Sequence, residues 1–285
     1  MTEALFFNAI NVRVACDHKK LGGLRNVYGS WEEVWKKEFS QHKTSEPEDL
    51  WRELEKHHVR LLLRGDEEFP ELLREIPWQP FAIYAKGNIS IIRDPSIAIV
   101  GTRKASAEGK KIARVFAEDL SRDFTIVSGL AFGIDAEAHR GCLEKNGKTI
   151  AVLATGLDET YPATHDHLAE EIIKGGGLIV SEYPPGIPPL PYRFLERNRI
   201  ISGLSKGVLV IEAPSESGAL ATARFALEQN REVFVIPGPI THPNFSGSNE
   251  LIRKGAELVT KPHDIRMAFD MEAPQRKENT ILVSG

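Results

Sequence analysis

Residues 96–139 read SIAIVGTRKASAEGKKIARVFAEDLSRDFTIVSGLAFGIDAEAH. The aliphatic run Ile97–Val100 stops at Gly101, and a stretch near 106–122 then carries apolar residues at helical spacing. A second run, Thr125–Ser128, stops at Gly129 and leads into another helical stretch near 133–146. Uninterrupted apolar strands separated by helices predict a parallel sheet covered on both faces. The alternation continues through Thr149–Ala154, Leu178–Ser181, Val208–Ile211 and Val233–Ile236, with helices expected near 164–174, 194–204 and 217–230. The fold class is therefore α/β, a doubly wound, mostly parallel sheet of the Rossmann type.

Upstream the pattern differs. Residues 1–58 read as a small helical domain, with apolar positions at Leu5, Ala9, Ile10 and Val14, at Trp31, Val34 and Trp35, and across 50–54. Ser30 is placed to cap the helix that starts at Trp31. Gln41–Glu48 reads as a connection. Phe6, Phe7, Trp31 and Trp35 are expected in the core of so small a unit. Residues 59–95 are mixed, with short strands expected at Val59–Leu63 and Phe81–Ala85 between Pro70, Pro77 and Pro80. The sheet domain then spans 59–265, and 266–285 reads as a polar tail.

The 285 residues carry 36 Lys and Arg against 40 Asp and Glu, hence 36 − 40 = −4. That balance excludes a nucleic-acid binder of the broadly basic kind. A hydrophobic content of 41% with 27% charged residues is that of a globular chain. The longest apolar runs are too short to span a bilayer, and no basic segment precedes the apolar start, so no secretory leader is expected. Cys16 and Cys142 are too few for a disulfide framework and argue for a reducing, cytoplasmic setting.

Several motifs are decoys. Gly141–Thr149 imitates a phosphate-binding P-loop, but five residues separate its glycines and it precedes a strand instead of following one. It reads as a helix end and a turn. No GxGxxG follows the first parallel strand, so no dinucleotide cofactor is expected. His165 and His167 are two apart on a helix and face different ways, so no metal is expected either. Asp135 and His139, four apart, share a helix face; structural hydrogen bonding is the expected role.

In an open α/β sheet, ligands sit beyond the carboxyl ends of the strands. Those exits here are Gly101-Thr102-Arg103-Lys104-Ala105-Ser106, Ser128-Gly129 through Phe132-Gly133-Ile134-Asp135, Gly156-Leu157-Asp158 leading to Tyr161-Pro162, Ser181–Pro185, Glu212-Ala213 with Ser217-Gly218, and Pro237-Gly238. Small residues at so many exits let a ligand approach the backbone, and several exits open directly into helix N-termini that attract anions. The segment Tyr192–Arg199 adds three arginines, Arg193, Arg197 and Arg199, and two aromatics, Tyr192 and Phe194, around Asn198. Arginine beside a free aromatic suits a phosphate backbone carrying stackable bases.

These pieces resemble the DNA-processing protein A family (DprA, also called Smf). The matching segments run in order: the Gly101–Ser106 loop, SGLAFGIDAEAH at 128–139, AVLATGLDETYPATHDHL at 151–168, SEYPPGIPP at 181–189, Phe194 with Arg197–Ile201, SGALATARFALEQNREVFVIPG at 217–238, and GSNELI at 247–252. The resemblance covers about residues 60–260 and implies an extended Rossmann domain that binds single-stranded DNA. It also implies a homodimer and delivery of RecA in natural transformation or recombination, with no catalytic activity. By position it makes Arg103 a phosphate contact and Phe194 an aromatic of the DNA pocket, whose mouth includes Ser128, Gly129 and Gly133. The expected DNA-binding set is completed by Gly101, Thr102, Ser106, Phe132, Arg193, Arg197, Asn198, Arg199, Ser217 and Gly218. The chain departs from several relatives in having Phe132 in place of Lys, and Pro191 near a position some relatives make basic. Only residues 261–285 follow the matched stretch, so the winged-helix domain that ends some members is not expected. The alternative is a nucleotide-processing enzyme of the lysine-decarboxylase-like phosphoribohydrolase group. Its PGGxGTxxE turn corresponds to Ser217–Arg224, which lacks the paired glycines and the glutamate.

Overall fold

The computed structural model describes residues 2–41 and 46–271. The chain opens with helices α1 (Thr2–Arg13), α2 (His18–Tyr28), α3 (Trp31–Val34) and α4 (Pro47–Lys56). There follow β1 (Arg60–Leu63), α5 (Glu71–Arg74) and β2 (Ala82–Gly87). Strands and helices then alternate as β3 (Ser96–Val100), α6 (Ala107–Leu120), β4 (Thr125–Ser128), α7 (Ile134–Glu144), β5 (Thr149–Leu153), α8 (Asp166–Lys174), β6 (Leu178–Ser181) and α9 (Pro191–Gly203). The last elements are β7 (Gly207–Val210), α10 (Gly218–Glu228), β8 (Glu232–Val235), α11 (Ser246–Arg253), β9 (Glu257–Leu258) and α12 (Pro262–Ala268).

Among the described residues one sheet of nine strands runs in the order β1-β2-β6-β5-β4-β3-β7-β8-β9. β3 to β9 are mutually parallel, and the hairpin β1-β2 adds two antiparallel strands beside β6. The expected α/β fold with its preceding helices is therefore what forms. β3 is buried at every position, with Ala98 paired to Val127 on one side and Val208 on the other. Its side chains alternate faces, as strand geometry requires. Ile97 and Ile99 meet Phe116 and Leu120 of α6, while Ala98 and Val100 meet Ile200 of α9 and Ala223 of α10. Each isoleucine so buried contributes roughly 1.5–3 kcal/mol.

Helix starts follow their capping residues. Ser30 Oγ accepts the Glu33 amide, and Ser106 Oγ accepts that of Gly109. α9 begins at Pro191, three residues before the expected start, because proline at the first helical position has its φ preset and lacks only an N–H the helix does not need there. α11, α12 and β9 were not expected. β9 is two exposed residues, too short for any period to register, and α11 opens on the turn-like Ser-Gly-Ser. Of the expected 266–285 tail, residues 266–268 belong to α12 and those from 272 onward lie outside the described residues; of the expected 41–48 connection, 42–45 lie outside them and 47–48 open α4.

Phe7, Trp31 and Trp35 are buried, and Phe6 packs against the same cluster. That cluster also contains Tyr84 of β2 and Ala151 and Leu153 of β5, so the N-terminal helices cover one face of the sheet. At their junction the fully buried Tyr84 hydroxyl donates to Asn8 Oδ1 at 3.0 Å and accepts from Asn11 Nδ2 at 3.2 Å. Tyr84→Phe leaves both amides short of a partner in the core. It is expected to lower the unfolding free energy by about 1–3 kcal/mol in urea titration; an unchanged midpoint would contradict this account of the junction.

Candidate functional site

From β3 the chain winds through β4, β5 and β6 to one side, then crosses back to β7 and β8 on the other. The winding reverses at β3, which leaves a crevice beyond its carboxyl end. A cleft of about 660 Å³ opens there. Its walls are the loop after β3, α9, and the start of α10.

The loop after β3 is held by its own backbone. The Thr102 amide donates to the Glu212 carbonyl at 2.7 Å, and Thr102 Oγ1 accepts the Lys104 amide. Gly101, Thr102 and Arg103 line the cleft, whereas Ser106 closes the loop as the cap of α6. Arg103 is exposed, and no hydrogen bond or ion pair holds its side chain among the described residues. Its guanidinium lies 5.3 Å from the ring centroid of Phe194, close enough for a cation–π contact. Tyr161 stands against the other side of the mouth, 5.3 Å from Phe194 between centroids and tilted by 54°. Opposite them Ser217 caps α10, and with Gly218 it presents a helix N-terminus to the cleft. Asn198 joins the two walls by donating to the Gly218 carbonyl at 3.2 Å. Asp135 and Glu216 are the acidic residues of the lining.

The three arginines of α9 behave differently from Arg103: all are buried. Arg197 reaches under the cleft and donates to the carbonyls of Gly129, at 2.7 Å, and Val152. Burial lowers its pKa to about 10, and nearby Asp135 opposes that shift. Arg199, 1% exposed, pairs with Glu182 at 2.5 Å and lies over Trp78, away from the cleft. Arg193 donates to the Pro188 carbonyl and packs over Tyr183, in a separate hollow near Cys16. Of the three, Arg197 alone lines the cleft.

The exit of β4 forms the floor behind it. Ser128 is buried and donates to the Ile99 carbonyl, and the Gly129 amide donates to Asp135 Oδ2 at 3.0 Å. Gly133 opens α7 at φ 77° pressed against the Thr102 carbonyl, a place where any side chain would collide. Phe132 is 46% exposed but stands on His165 beside the cleft, and Ala131 takes its place in the lining. The structure thus brings together Gly101, Thr102, Arg103, Phe194, Arg197, Asn198, Ser217 and Gly218. It leaves Arg193 and Arg199 elsewhere, and Ser106, Ser128, Gly129, Phe132 and Gly133 around or beneath. Tyr161 was visible as a strand-exit aromatic but was not among the expected site residues. Thr222, one turn into α10, also lines the cleft and carried no sequence signal.

Gly141 lies within α7 and Gly147 in the turn before β5. His165 is buried on the Leu130 carbonyl, and His167 is exposed beside Glu171. Asp135 and His139 take separate partners. Thr149 Oγ1 gives its hydrogen to the Ile126 carbonyl, so His139 Nδ1, 2.7 Å away, is the donor to Thr149. Nε2 is then left buried and without a partner. Burial, reinforced by His165 and Arg197, lowers the imidazole pKa to about 3. The unfolded imidazole titrates near 6.5, so unfolding takes up a proton below that pH. The stabilisation is complete above 6.5 and is lost as the pH falls toward 3. Between pH 7 and 5 the loss is about 2 kcal/mol. His139→Gln should remove that part of the slope in urea titrations; equal slopes would contradict a neutral buried imidazole.

Comparison with known proteins places these features in a family. The family model for DNA recombination-mediator protein A matches residues 60–270. Protein Smf of Escherichia coli is 47% identical over 245 residues, which are 84% of this chain and 64% of that protein. The DNA processing protein DprA of Streptococcus pneumoniae is 43% identical over 205 residues, 72% of each chain. The X-ray structure of the pneumococcal protein superposes with a TM-score of 0.74 over 85% of this chain and 81% of its own, at 38% identity. The Helicobacter pylori protein, whose structure is described for its mode of single-stranded DNA binding, gives 0.67 over 76% and 99%, at 29% identity. The chain thus spans somewhat under two thirds of the length of the Escherichia coli relative. From the sheet that reverses at β3 to the order of its loops, the chain belongs to the DNA recombination-mediator protein A (DprA/Smf) family.

Proposed function

We propose that the cleft beyond β3 binds single-stranded DNA, with Arg103 on a phosphate and the faces of Phe194 and Tyr161 on bases. The observation that carries this reading is Arg103 itself. It is an exposed guanidinium that no hydrogen bond or ion pair holds among the described residues, standing over an aromatic ring at the mouth of the cleft. An aromatic face is of use only to unpaired bases, which favours a single strand over a duplex. The start of α10 supplies backbone N–H groups suited to a further phosphate.

In this reading the protein is a non-enzymatic mediator that presents the strand to RecA in the cytoplasm, in recombination or natural transformation. Family membership supports that role. A homodimer would set two such clefts on one strand and raise affinity through effective concentration alone. Since the α9 arginines are committed inside the protein, few phosphates are neutralised and the salt dependence should be shallow.

Arg103→Ala is expected to weaken binding to an oligothymidylate by about tenfold or more, the scale of a lost charge-assisted contact, with an unchanged melting temperature. The slope of log affinity on log salt should also fall by about 0.7 for each phosphate contact removed. Fluorescence titration at three salt concentrations measures both. Equal affinity for wild type and variant would contradict the assignment.

A further inference from the structure

Glu212, two residues past the end of β7, bears a carboxylate that is 0% exposed and has no ion-pair partner among the described residues. A buried, uncompensated carboxylate is costly and persists only where hydrogen bonds replace its water. Here those bonds come from the two segments that frame Arg103. The Ser106 amide donates to Oε2 at 2.9 Å, and the Ser106 hydroxyl donates to Oε1. Asn244, from the loop after β8, donates to Oε2 at 2.8 Å and also to the Lys104 carbonyl at 3.1 Å. The Glu212 carbonyl takes the Thr102 amide. One residue therefore grips the loop at 102 and 106, and reaches its middle through Asn244. Gly109 completes the arrangement: a Cβ there would strike the carboxylate, so only a glycine lets the first turn of α6 close over it.

Between the grips, the side chains of Arg103 and Lys104 are exposed and held by no hydrogen bond or ion pair among the described residues, and Arg103 is the one that stands over Phe194. We propose that Glu212 is a positioning residue, a buried latch that fixes the loop after β3 so that Arg103 is held ready over Phe194 and is not ordered by the ligand at the moment of binding. This rests on the reading of Arg103 as a phosphate contact. Holding the loop in its bound shape before the ligand arrives spares the ordering entropy that binding would otherwise cost.

The test is a double-mutant cycle on binding of an oligothymidylate, together with amide exchange of the loop. Glu212→Ala should weaken binding about tenfold, as loss of several buried hydrogen-bond acceptances would. It should cost nothing further once Arg103→Ala is present. Glu212→Gln, which keeps the volume and one acceptor oxygen, should restore most of the affinity. Asn244→Ala, which removes only the outer strut, should give a smaller loss with the same non-additivity, and serves if Glu212→Ala does not fold. Affinity unchanged in these variants, or losses that multiply fully with that of Arg103→Ala, would overturn the latch. If Arg103→Ala alone leaves affinity intact, the binding reading fails and exchange decides the latch separately. The Ser106 amide should then exchange at least about tenfold faster in Glu212→Ala, or in Asn244→Ala if needed; an unchanged rate overturns it.

Discussion

The arrangement depends on one constraint: β3 is covered on both faces and flanked on both sides, and the strand order reverses at it, so the crevice opens beyond its carboxyl end. Each residue of the strand is buried, and the parallel neighbours β4 and β7 satisfy its backbone. The chain runs from β3 to β4 on one side and from β7 to β8 on the other, so α6 and α10 lie on opposite faces of the sheet and a crevice opens between their starts. The cleft follows from that topology before any side chain is specified. What the sequence adds is the lining: a threonine–arginine turn on one wall, a capped helix start on the other, and an aromatic pair at the mouth.

The distribution of arginine explains how a chain of charge −4 can carry the proposed anion site. Arg193, Arg197 and Arg199 are structural. Their guanidinium groups satisfy carbonyls at strand ends, pair with Glu182, and cover Tyr183 and Trp78. Arg197 does this for two strand exits at once, holding the floor of the cleft through Gly129 and Val152. Arg103 differs because its neighbours are held by backbone and by Glu212, leaving its own donors free. The electrostatic demand of the site is local, and bulk composition has no bearing on it.

The fold was legible because parallel strands buried on both faces must be runs of apolar residues. Thr125–Ser128 and Leu178–Ser181 were read to the residue. Elements without such a run escaped: β9 is two exposed residues, and α11 begins as a turn would. The site was legible in part. Strand-exit loops and an arginine–aromatic segment point to the region, and the resemblance to the family singled out Arg103 and Phe194 within it. The residue type of Arg199 could be read, but its partner could not: Glu182 is 17 positions away and Trp78 much further, and nothing local foretells that they meet. Glu212 carried the least signal, since a carboxylate at a strand exit looks like a surface residue until the loop from 102 to 106 folds over it.

The most direct test of the account is photocrosslinking of the protein to an oligonucleotide carrying 5-iodouracil, with adducts mapped by mass spectrometry. Bases stacked at the cleft mouth should leave adducts on Phe194 or Tyr161. Adducts confined to other surfaces, with both rings unmodified at saturating oligonucleotide, would contradict the claim that the crevice beyond β3 is where the strand lies.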